Sequence, residues 1–184
     1  MKSILFLILL FLTNNFYGQD IILDSLLVKK IAILKSSKID TIGVVERKCE
    51  SMIPPKCGYV NFYLLWKYKG QTFIQKINNC ETENIKVDST NYFFTFFYKN
   101  KQKIEFEEVK MFETEDGGFS MTDHYCESVI TIYENENKIK KIINSYRLEI
   151  GEEKNKNINF EYNNSLKIVE LDKNIRMLLK SLFK

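Results

Sequence analysis

"VNFYLLWKYKGQTFIQKIN", residues 60 to 78, decides how the rest of the chain must fold. Val60, Phe62, Leu64, Trp66 and Tyr68 alternate with Asn61, Tyr63, Leu65 and Lys67, the period of two of a strand with one strongly apolar face. Lys69 and Gly70 then leave room for no more than a tight connection to a second apolar run, "QTFIQKI". The spacing predicts a β-hairpin, although Lys-Gly is not the Asn-Gly pair favoured at such turns. If the turn is tight, continuing the ladder backwards sets Cys80 opposite Tyr59.

Working outward, Thr41 to Glu50 reads as a further strand, preceded by a helix over Asp20 to Ser37 in which Leu23, Leu27, Ile31 and Leu34 form a stripe. On the other side lies "VDSTNYFFTFFYKNKQKI", a predicted helix capped by Asp88 or Ser89, with Phe93, Phe96, Phe97 and Ile104 on one face. An aromatic face of this kind could bind a sugar, a lipid or a partner, but large apolar rings belong first to a core. "IEFEEVKMF" and the run from Tyr125 to Ile150 look like more strands, the latter interrupted at the tip "ENEN" and apolar enough on both faces to sit inside a sheet. Ile175, Leu178, Leu179 and Leu182 share a helical face with Asp172 as the expected cap. "NINFEYNNSLKIVEL" is read as a hairpin about Asn163 and Asn164, with an early start to that last helix as the alternative. The expectation is one α+β domain over residues 19–184: a mainly antiparallel sheet of roughly six to eight strands with an N-terminal helix, a central aromatic helix and a C-terminal helix packed on it.

The chain opens MKSILFLILLFLTNNFYGQD, with Lys2 ahead of nine apolar residues, Ile4 to Leu12, and a polar stretch ending in the small Gly18. Residues 1–18 have the layout of a secretory signal peptide, and the apolar run is about half the roughly 20 residues a spanning helix needs. The sequence therefore predicts an exported bacterial protein, periplasmic or extracellular, with no stable membrane span once the signal is removed. Four cysteines, Cys49, Cys57, Cys80 and Cys126, then favour two disulfides. Two pairings compete. Cys57 with Cys80 leaves Cys49 for Cys126, whereas a clasp across "CESMIPPKC" joins Cys49 to Cys57 and leaves Cys80 for Cys126.

Little else in the chain suggests chemistry. His124 is the one histidine and lies two residues before Cys126, close enough along a strand for imidazole and thiol to meet. A catalytic cysteine must stay reduced, which export opposes, so His124 and Cys126 are low-ranking candidates for a thiol hydrolase. No CxxC or HxxxH spacing points to zinc, and no phosphate or dinucleotide fingerprint occurs. "FETEDGGFS" has a calcium-like composition without the alternating ligand spacing, so a surface turn with Gly117 or Gly118 at positive φ is expected there. No cofactor or metal is expected. With 27 basic against 24 acidic residues, a net charge of +3, there is no case for nucleic acid. The reading is a disulfide-stabilised, non-catalytic binding module whose partner is another protein or a cell-surface ligand, the alternative being a hydrolase. A binding edge would follow if "CESMIPPKC" and the acidic loop Glu113 to Ser120 share one end of the sheet.

Overall fold

In a computed structural model, residues 25–49, 60–78, 81–119 and 125–183 are described. They form one antiparallel six-stranded sheet and four α-helices, an α+β fold. In chain order these are α1 (25–36), β1 (Thr41–Cys49), β2 (Val60–Tyr68), β3 (Gln71–Asn78), β4 (Lys86–Asp88), α2 (Tyr92–Phe106), β5 (Cys126–Glu134), β6 (Asn137–Asn144), a 3₁₀ turn (Ser145–Leu148), α3 (Phe160–Ser165) and α4 (Lys167–Leu182). The strands lie in the order β4-β3-β2-β1-β5-β6, so the first strand of the chain is central. The expected signal peptide, Cys57, Cys80 and His124 fall outside the described residues.

The hairpin forms as the alternation demands. Tyr68 faces Gln71 and Asn61 faces Asn78, the register of a tight turn. Lys69 and Gly70 both take positive φ, 48° and 82°, which is what a two-residue turn matched to the strand twist requires. Lysine tolerates that conformation at a cost, and the closed hairpin offsets it.

Each face of the sheet has its own cover. Val45, Leu65, Ile74, Ile130, Ile132 and Ile143 join Phe93, Phe94 and Phe97 of α2 and Ile168, Leu171 and Ile175 of α4 in the larger core. On the opposite face Ile42, Val44, Phe62, Leu64 and Ile77 pack under Leu27 and Ile31 of α1. Three phenylalanines of α2 are therefore core, Phe93, Phe94 and Phe97, which have no exposed surface, while Phe106 at the end of the helix is exposed. Phe94 takes the fully buried place that the helical wheel assigned to Phe96. Gly43 explains how α2 comes so close. A Cβ at residue 43 would stand 2.5 Å from Phe93 Cε1, so the Phe93 ring lies directly on the backbone of the central strand.

Side-chain hydrogen bonds set both ends of α2. Asp88, 2 % exposed, accepts from the amides of Thr90 (2.9 Å) and Tyr92 (3.0 Å) and so serves the first turn of α2, as expected of it. At the other end Lys141 of β6 donates to the carbonyls of Glu105 (2.9 Å) and Glu107 (2.6 Å), placing its positive charge on the negative end of α2.

Several expectations are corrected. "IEFEEVKMF" is no strand: residues 104–106 finish α2, and 107–112 run extended beside α3 and the 3₁₀ turn. The strand expected to reach Ile150 ends at Asn144, whose side-chain oxygen accepts from the Tyr146 amide and turns the chain into the 3₁₀ segment. β6 is an edge strand rather than an interior one, with Lys138 and Lys140 along it, as suits an unpaired edge. The three-residue β4 is too short to carry a period. There is no hairpin about Asn163 and Asn164: the segment is α3, and α4 already begins at Lys167. Its first amides are served from elsewhere in the chain, since Glu107 Oε2 accepts from the Ile168 amide at 3.0 Å. Asp172 is thus no cap but a mid-helix residue, 2 % exposed and paired with Arg176 at 3.0 Å.

Replacing Gly43 by alanine is expected to lower stability by about 1–3 kcal/mol, because Phe93 must move off the strand. Urea unfolding of the two proteins measures this, and an unshifted midpoint would show that the ring does not press on residue 43.

Candidate functional site

β1 and β5 end side by side, and the end they share is where the chain's distinctive chemistry collects. Cys49 and Cys126 face each other in register and are joined by a disulfide, with 4.0 Å between their Cα atoms. This bond belongs to the first of the two competing pairings. Among the described residues no cysteine is free. A sulfur bonded to Cys49 is not a thiolate, so Cys126 in this state has no nucleophile to offer. The Cys126 amide donates to Ser145 Oγ at 3.0 Å, which ties the bridge to the start of the 3₁₀ turn.

From that turn a loop, 149–157, folds back on itself. The Asn157 amide donates to the Ile150 carbonyl (2.8 Å) and the Asn155 amide to the Glu152 carbonyl (2.9 Å). Gly151 makes the closure possible: it has φ +82°, and a Cβ there would lie 2.3 Å from the Asn155 carbonyl oxygen. Underneath, Phe112 is 3 % exposed and stacks on Tyr146, with centroids 4.7 Å apart and planes 11° apart. Together these groups enclose an open concavity of about 680 Å³, with Leu148, Ile150 and Phe160 as apolar wall and Glu149 and Glu152 as its charged lining. A volume of that size lies within the range of ordinary ligand sites.

Three asparagines hold the concavity in shape. Asn163 is completely buried; its Nδ2 donates to the carbonyls of Lys110 (3.0 Å) and Arg147 (2.9 Å), and its Oδ1 accepts from the Lys110 amide (2.9 Å). Asn157 Nδ2 donates to the carbonyls of Arg147 (3.0 Å) and Glu149 (3.1 Å). Asn159 Nδ2 donates to the Met111 carbonyl at 3.0 Å. Neither the 107–112 segment nor the 145–149 segment has a complete ladder partner, and these side chains supply the missing backbone bonds.

The acidic loop packs at the same end, where the Glu113 carbonyl accepts from the Ile158 amide at 2.9 Å. It is the surface turn that its composition suggested, with Gly117 at φ +77°. The Thr114 hydroxyl and the Gly118 amide both donate to Asp116 Oδ1, and the hydroxyl chiefly holds that carboxyl below its ordinary pKa. Asp116 is thus occupied within its own loop. Among the described residues no group of three or more His, Cys, Asp or Glu side chains is placed to hold a metal. Cys49 opens the "CESMIPPKC" stretch at this same end, and residues 50–57 of it lie outside the described residues.

Just inside the bridge, Arg47 approaches Asp172 and Arg176 of α4. Burial lowers the Arg47 guanidinium below its ordinary pKa, and the Asp172 charge partly offsets this. Burial likewise raises Tyr63. Asp172 Oδ1 has no hydrogen-bond partner, while Oδ2 accepts from Arg176. The carboxylate therefore screens two cations that would otherwise repel.

No family model, curated protein or solved structure matches this chain. The assignment of the site accordingly rests on its geometry. Phe112, Tyr146, Gly151 and the asparagines were missed in the sequence reading because an Asn-rich run such as "NKNINFEYNN" looks like compositional bias. The one available signal was Gly151, an isolated glycine between Ile150 and Glu152 and a turn marker.

Asn163→Leu leaves the Lys110 amide and carbonyl without these partners and removes one of two donors from the Arg147 carbonyl, and is expected to cost about 3 kcal/mol. Chemical denaturation reads that loss. Asn163→Asp sets a carboxylate oxygen against the same two carbonyl oxygens in a buried site, and is expected to be at least as destabilising at neutral pH.

Proposed function

We propose that the protein is an exported, disulfide-stabilised binding module, periplasmic or extracellular, that recognises another protein or a surface ligand through the concavity at the bridged end of its sheet. The observation that carries this reading is the Cys49–Cys126 bond at the same end as an aromatic-floored hollow of about 680 Å³. Structural disulfides persist where the surroundings are oxidising, which agrees with the signal-like layout of residues 1–18. The bond holds β5 to the central strand at the point where the loops begin. A hollow held by a covalent tie and a set of buried amides loses little freedom when filled, the condition under which a small surface binds well.

Support for a non-catalytic role comes from how the polar groups are used. The amides of Asn157 and Asn163 are saturated by backbone, and Asp116 is bonded within its loop. What faces the hollow is aromatic and aliphatic surface with Glu149 and Glu152, a lining suited to recognition.

Intact mass after alkylation in denaturant, on protein exported from a competent host and never reduced, is expected to show Cys49 and Cys126 unmodified. Labelling of Cys126 would instead leave a thiol near His124 and bring the hydrolase reading forward. Replacing both bridge cysteines by alanine should lower stability by about 2–4 kcal/mol. Ile150 is 53 % exposed and lines the hollow, so Ile150→Arg should abolish cross-linking from a photoreactive group placed at Glu152 while leaving the melting temperature unchanged. Undiminished cross-linking in that variant would move the binding surface elsewhere.

A further inference from the structure

We draw no further inference here: the strongest candidate, the apolar groove between α1 and β2 lined by Ile33, Leu34, Trp66 and Ile85, lies on a face that carries charges of both signs, Lys30 and Lys35 with Asp40 and Glu136, and nothing in the structure shows what covers it.

Discussion

The close approach of Phe93 to Gly43 is the constraint on which the rest of the structure depends. β1 lies inside the sheet, and both its neighbours come from later in the chain, β2 from the hairpin that follows and β5 from beyond α2. A side chain at position 43 would hold α2 away from the sheet; its absence lets an aromatic ring rest on backbone. Once α2 is down, Phe94 and Phe97 fill the space beside it, and α4 closes the same core through Ile168, Leu171 and Ile175. Close packing of this kind leaves little slack, so one added methyl at the contact is felt throughout the larger core.

Away from the sheet the chain depends on polar groups acting over long sequence distances. Glu107 caps a helix that starts at Lys167, Lys141 closes the end of α2, and Asn163 replaces the ladder that residues 110 and 147 lack. Each satisfies backbone groups that the helices and ladders leave without an internal partner. The disulfide does the covalent counterpart of this at the end of β1, and the loops that gather there inherit a fixed base.

Two surfaces of unlike chemistry result. At the bridged end lies a hollow with an aromatic floor and two glutamates; beside α1 lies a small apolar groove between Ile33 and Leu34 on one side and Trp66 and Ile85 on the other.

The alternation of residues 60 to 68 and the Lys-Gly turn were enough to predict the hairpin and its register, because a strand's period and a two-residue turn are local properties. The Leu27 and Ile31 stripe of α1, the capping role of Asp88, the burial of Phe93 and Phe97 and the tight turn at Gly117 were legible for the same reason. The choice between two cysteine pairings, the helical state of residues 160–165, the edge position of β6 and the hollow itself were not. Each is decided by groups far apart in sequence: Cys126 meets Cys49 only because β5 pairs with the central strand, and Asn163 favours a helix only because Lys110 and Arg147 present backbone for it to bind. Local pattern determined which segments became strands and helices; long-range pairing decided which of their side chains would meet.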